Sequence, residues 1–323
     1  MPAGETTGVP ERLILDCDPG HDDMAAILLA LRHPRLRPEA VTTVAGNAPL
    51  EKTTRNALRI LRAVGSDVPV HAGAARPLVR DPVDALSFHG ESGLDTVGEG
   101  LPSTETGPDP EGAAETLLRR ASGAPGELTL VVTGPMTNVA LALRLRPGLA
   151  QQLKRIVFMG GSAGPGNVTA AAEFNIWADA EAARIVLESG VPLVMMGLHL
   201  THQVRLTRRH VERVRRGRSP IAGALADLLS FYLQTTARHF GEEEIGAPLH
   251  DPCAVAFVAA PELFELEPME VRVETRGEQT YGMTVCDGRR MPADRESRRP
   301  NVQVAMRVDA EAVLEMVVRA LGG

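Results

Sequence analysis

From Arg12 onward, short apolar runs alternate with stretches whose apolar positions recur every three or four residues. RLILDCD reads as a buried strand, and DDMAAILLALRH as the helix that follows it. EAVTTVAG, DVPVHAG, ELTLVVTG, KRIVFMGGS and VPLVMMGL repeat the strand type. LEKTTRNALRILRAV, PEGAAETLLRRAS, MTNVALALRLRP and DAEAARIVLESG repeat the helical type. Apolar strands separated by amphipathic helices predict βαβ units, hence an α/β fold with a mostly parallel central sheet flanked by helices. No Ser-, Gly- or Pro-rich linker interrupts the alternation, so a single domain over 1–323 is predicted, with its core at about 12–321 and a flexible tail over 1–11.

Two segments break the rhythm. Residues 74–108 are rich in Pro, Gly and acids and predict a long loop. Residues 205–250 predict an all-helical excursion that carries the basic run RLTRRHVERVRRGR, read as a solvated helix face. Long excursions in an α/β fold often serve as site lids. From about Met269, two or three further strands and the helix VDAEAVLEMVVRAL close the chain.

Composition narrows the function more than the fold. A hydrophobic content of 44% over 323 residues supplies an ordinary core. The net charge of -7 disfavours nucleic acid as a partner. Lys52 and Lys154 are the only lysines, so nearly all positive charge is arginine. Cys17, Cys253 and Cys286 have no metal-ligating spacing and, being odd in number, make a poor disulfide framework. MPAGETTGVPER lacks the apolar centre of a signal peptide, and no apolar run approaches the ~18 residues of a membrane helix. These features predict a cytoplasmic protein with no membrane partner.

One turn is chemically unusual. Asp16, Asp18, Asp22 and Asp23 fall within LDCDPGHDD, around the strand end and the start of the next helix. Period two puts Asp16 and Asp18 on one side of the strand. A carboxylate at a helix N-terminus is favoured by the free N–H groups and the dipole, which explains one of the four as a cap. Four together repel unless a cation sits among them, and an all-oxygen set suits a hard one, Ca²⁺ or Mg²⁺. An Asp-x-Asp after a first strand also opens aspartyl-phosphate hydrolases. Those require a Thr- or Val-containing continuation and a strand-end lysine, and neither Lys52 nor Lys154 is so placed.

Ligands in parallel sheets collect at the carboxyl ends of the strands. Read strand by strand, those ends supply Asn47, Thr133, Met159, Asn167, Glu173, Asn175, His250 and Asp251. Each has a simple account alone: a turn, a cap, a satisfied core histidine. As a set, Asp, Asn and Glu with little Lys or Arg suit sugar hydroxyls and a hard cation rather than phosphate.

DCDPGHDD, VAGN, FHGESG, TGPMTN, MGGS, AEFNIWADAEAA and HDPCAVA, in this order over about 12–308, resemble the inosine–uridine preferring nucleoside hydrolase family. The resemblance implies a Ca²⁺-dependent enzyme that splits a ribonucleoside into ribose and free base, working as a homodimer or homotetramer. It implies Asp18, Asp23, Asp251 and the Thr133 carbonyl as calcium ligands, with Asp18 also taking a proton from the attacking water. Asp22, Asn47 and Asn175 would bind the ribose diol, Asn167 and Glu173 its 5′-hydroxyl, and Met159 would line the sugar. His250 would be the acid that protonates the leaving base, using a pKa near neutrality, and His89 would contact the base. Asp16 would be a supporting residue. A chain of this scaffold without turnover would instead bind nucleoside or ribose.

Two features depart from the family pattern. His199 stands in GLHLTH where relatives carry Asp, at what reads as a strand end. Purine-specific relatives stack the base between tryptophans, whereas Trp177 is the only tryptophan here. Phe88-His89 and His250 instead fit the inosine–uridine or pyrimidine-preferring groups, with Phe231, Tyr232, Arg238 and His239 available to close over the base.

Overall fold

The computed structural model describes residues 9–241, 246–289 and 299–323. Chain order begins β1 (Glu11–Cys17), α1 (His21–Arg32), β2 (Leu36–Thr43), α2 (Leu50–Ala63), β3 (Val70–Ala72), α3 (Leu86–His89) and α4 (Ala113–Gly123). It continues through β4 (Leu128–Val132), α5 (Thr137–Leu145), β5 (Leu153–Met159), α6 (Phe174–Ala178), α7 (Ala180–Leu187), β6 (Leu193–Met196) and α8 (Leu198–Thr201). The last part is β7 (Arg205–Leu206), α9 (Arg208–Arg215), α10 (Ala222–Phe240), β8 (Ala247–Pro248), α11 (Asp251–Ala259), β9 (Phe264–Met269), β10 (Val271–Val273), β11 (Thr284–Cys286), β12 (Val302–Val308) and α12 (Ala310–Gly322).

Eight strands form the central sheet in the order β3-β2-β1-β4-β5-β6-β12-β9, all pairing parallel except β12 with β9. Its two faces carry separate cores, as side-chain alternation requires. Leu13, Leu15 and Cys17 face α1, α2, α10, α11 and α12, while Ile14 faces α4, α5 and α7. Helix α11 is buried all round, and α1 nearly so, because both lie sandwiched in the first layer. Their amino ends therefore point at the strand ends with little water near them. Among the described residues no helix is long and apolar enough to cross a membrane.

Four expectations need correcting. Residues 1–8 of the predicted tail lie outside the described residues, and Glu11 already belongs to β1, held by Lys154 and Arg155. The closing strands start at Phe264, earlier than Met269; FELEPM is an antiparallel edge strand with exposed acids, so it carries little apolar signal. The 205–250 excursion is not all helical, since β7 pairs antiparallel with β8 and ties its two ends together. Two-residue strands are too short to show a period. Within 74–108, the chain forms the short helix α3 and a tight turn rather than open loop. The basic run does form a solvated helix: Arg213 pairs with Glu315 and Arg215 with Asp227, while Val211 and Val214 are buried.

Candidate active site

Three acids come together where the two buried helices begin. Asp22 and Asp23 lie in the first turn of α1 and Asp251 opens α11, and their carboxylate oxygens approach within 4.8 Å of one another. Asp18, directly after β1, completes the charge cluster. Its Oδ2 accepts from the Asn47 backbone N–H at 2.7 Å, and its Oδ1 has no partner among the described residues. Gly46 and Gly134 make room for that carboxylate; a Cβ on either would lie 2.1 or 2.8 Å from one of its oxygens.

Burial first, and mutual repulsion second, push the Asp18 and Asp251 carboxyls far above the usual range. The same causes push Asp22 up to about 7. Asp23 is raised by burial and partly relieved by donors: Oδ2 accepts from the Gly20 N–H at 3.0 Å and Oδ1 from the Thr133 hydroxyl at 2.8 Å. The simple capping role is thus real for Asp23. It leaves Asp18, Asp22 and Asp251 as buried acids with, among the described residues, no cationic side chain as a hydrogen-bond partner, an arrangement that costs free energy unless a cation compensates. The all-oxygen donor set and the unpartnered Asp18 oxygen fit a hard divalent ion.

A layer of amides braces the acids. The Asn47 side chain donates to the Asp18 backbone carbonyl and to Asp23 Oδ2, both at 3.2 Å, so together with its backbone N–H on Asp18 Oδ2 the residue positions two carboxylates. Asn175 donates from Nδ2 to the carbonyls of Thr133 (2.8 Å) and Met159 (3.2 Å). Carbonyls only accept, so the amide is oriented and Oδ1 is the end left for a ligand. Glu173 caps α6: its carboxylate accepts from the N–H groups of Gly161, Asn175 and Ile176, yet burial still raises it to about 7. Asn167 is exposed on the adjoining loop, its Oδ1 accepting from the Phe174 N–H at 3.0 Å.

Imidazoles and aromatic rings form the facing wall. His89 ends α3 and is buried, with its Nδ1 3.1 Å from Nδ1 of His21. His21 packs against Phe231 and Tyr232 of α10, and Phe88 against Tyr232 and His239. Tyr232 is locked by its hydroxyl donating to the Pro248 carbonyl. His250 precedes Asp251, with its Nδ1 2.8 Å from the Thr201 hydroxyl. Burial lowers His250 to about 3 and His89 well below its usual value, so neither titrates near neutrality as the sequence predicted for His250. His21 and Thr201 were not singled out from sequence. The signal for His21 is its place inside DPGHDD, among four acids whose charge dominates the motif.

Other residues lie apart. Asp16 turns to the opposite layer, accepting from Thr42 at 2.5 Å and Asn138 at 2.8 Å; among the described residues it shares no hydrogen-bond partner with Asp18, and it supports the strand end only. His199 sits in α8 rather than at a strand end, where it accepts from the Ala163 N–H and bonds the Ala305 carbonyl, each at 3.0 Å. A carboxylate could make only the first of these. Trp177 is covered by the Arg80 guanidinium 3.7 Å from its ring centre. Lys52 bonds the Glu91 carbonyl and Lys154 bonds Glu11, so neither serves the acidic turn.

The chain as a whole is similar to known proteins. The family model described as inosine-uridine preferring nucleoside hydrolase matches residues 13–315. The pyrimidine-specific ribonucleoside hydrolase RihA of Shewanella oneidensis is 44% identical over 310 residues, covering 96% of this chain and 95% of that protein. The protein of the same name from Shewanella baltica is 49% identical over 276 residues, covering 85% and 86%. Among solved structures, the purine-preferring ribonucleoside hydrolase from Gardnerella vaginalis superposes with a TM-score of 0.89 at 32% identity, covering 97% of this chain and 98% of that one. With the strand-end acids, the bracing amides and the imidazole wall all inside the matched span, the chain belongs to the inosine–uridine preferring nucleoside hydrolase family.

Proposed function

We propose that this nucleoside hydrolase splits the N-glycosidic bond of pyrimidine ribonucleosides, with Ca²⁺ as its cofactor. The observation that carries the reading is the buried meeting of Asp22, Asp23 and Asp251 beside an unpartnered Asp18 oxygen. Asp18, Asp23, Asp251 and the Thr133 carbonyl would hold the ion, and Asp22 is close enough to share it. A divalent cation there lowers the pKa of water and orients hydroxyl groups.

Every other role falls to the chain. Asp18 keeps Oδ1 free to take the proton of the attacking water. Asn175 presents Oδ1 to a ribose hydroxyl, and Asp22 and Asn47 complete the diol side. Asn167 and the Glu173 carboxyl meet the 5′-hydroxyl, with Met159 beneath the ring. The surrounding carboxylates stabilise the positive charge that grows on the sugar as the base departs. His250, neutral at pH 7, donates an N–H hydrogen bond that stabilises the negative charge growing on the leaving base, whose proton comes from solvent, and His89 contacts its edge.

Pyrimidine preference is supported by the RihA relatives and by a base wall of imidazoles, Phe88, Phe231 and Tyr232, with Trp177 engaged elsewhere. A panel of kcat/KM values for uridine, cytidine, inosine and adenosine tests it. Uridine and cytidine should lead by at least about tenfold; a leading purine would reverse the assignment, and no ribose release from any nucleoside would remove it.

A further inference from the structure

His21, the central residue of DPGHDD, is fully buried and meets the protein through both ring nitrogens. Its Nε2 lies 2.7 Å from the Asp95 backbone carbonyl. A carbonyl can only accept, so Nε2 carries the hydrogen. Its Nδ1 lies 3.1 Å from Nδ1 of His89. A neutral imidazole has one N–H, and a ring sealed from water with no carboxylate on either nitrogen stays neutral. Nδ1 of His21 is therefore bare, and the hydrogen between the two rings belongs to His89. The rings stand 5.3 Å apart between centres and 16° from parallel, as an N–H···N bond made edge to edge requires.

His89 is thereby held in one form, with the hydrogen on Nδ1 and a bare Nε2. Among the described residues no hydrogen bond occupies that Nε2. His21 is itself fixed: it stacks on Phe231, and Asp95 is held in turn by the Glu91 and Ser92 N–H groups. A Cβ at Gly20 would fall 2.7 Å from the His89 ring, so the turn lets the two imidazoles meet.

We propose that His21 is a positioning residue for base selection: by accepting from His89 it makes His89 Nε2 a hydrogen-bond acceptor, and so selects bases that offer a hydrogen there. The N3–H of uracil and the amino group of cytosine do so; an N3-methylated uracil does not. This rests on the proposal that His89 faces the base of a nucleoside substrate.

Nitrogen NMR of the holoenzyme with labelled histidines reads the tautomer directly. The expected result is His89 protonated at Nδ1 and bare at Nε2, changing in His21→Phe, which keeps a ring on Phe231 but offers no acceptor. Steady-state kinetics read the consequence. Uridine should be preferred to 3-methyluridine, and His21→Phe should lose about three- to tenfold of that preference, chiefly in KM. His21→Asn, with an oxygen near the former Nδ1 position, should restore it. Nitrophenyl riboside, which has no such hydrogen, should change little in either variant. A wild-type His89 protonated at Nε2 would overturn the assignment whether or not the variants fold. Equal loss on uridine and nitrophenyl riboside would reduce His21 to a structural residue. Failure of every nucleoside to react would overturn the hydrolase reading alone, because the tautomer is measured without turnover.

Discussion

The two halves of the site are built differently. The acidic half comes from strand ends and the first turns of two buried helices, where a few adjacent residues set the geometry: Asp18, Gly20, Asp22 and Asp23 on one turn, Asp251 on the other. The imidazole half is assembled from four distant segments, with His21 on α1, His89 on α3, Phe231 and Tyr232 on α10, and His250 before α11. The first half is expensive by itself, because buried carboxylates repel. The second needs no compensation, because its rings are neutral and packed. A short motif can therefore specify ion and ribose chemistry, while choice of base depends on how remote helices meet.

Separating these halves by mutation gives the largest effects. Asp18→Ala should abolish hydrolysis of every nucleoside, by at least about a thousandfold, and should weaken calcium binding together with it. Paired initial rates and calcium titration check this, and activity that survives without calcium affinity would split the two roles. His250→Ala should slow uridine by about 10²–10³ while leaving nitrophenyl riboside nearly unchanged, since that leaving group is a stable anion without a hydrogen bond. Equal loss on both substrates would place His250 in the sugar half.

A smaller effect separates the halves by pH. Asp16 and Asp22 are raised by burial to about 6 and about 7. Groups raised in the folded state bind protons more tightly there, so their contribution is full below the unfolded pKa near 4 and is lost as pH rises through about 7. Metal-free protein should become less stable across that window. Added calcium, which needs the ionised carboxylates, should stabilise it increasingly over the same range. Melting temperatures with and without calcium from pH 4 to 8 would show the gap widening; a constant gap would place the ion elsewhere.

This contrast also explains what was legible in the sequence. The parallel sheet followed from apolar runs such as LTLVV and LVMM, which are buried throughout. The acids were legible because cap, turn and strand end are local. Asn47 was visible as a strand-end residue, but its bonds to Asp18 and Asp23 were not, because they cross between two strand ends. Glu173 likewise could be named without its capping bonds being foreseen. The His21–His89 pair joins residues 68 apart through a turn that only the folded 74–108 segment creates, and no periodicity announces it. β9 and the β7–β8 pair were missed because exposed or two-residue strands leave no apolar signature.

The central claim is that the buried acids at the carboxyl end of the sheet form a cation site on which turnover depends. Ribose release from uridine, measured after exhaustive chelation and again during stepwise return of Ca²⁺, tests it most directly. The account predicts that activity disappears with the ion and returns in full at one equivalent per chain; undiminished ribose release from the metal-free protein would contradict it.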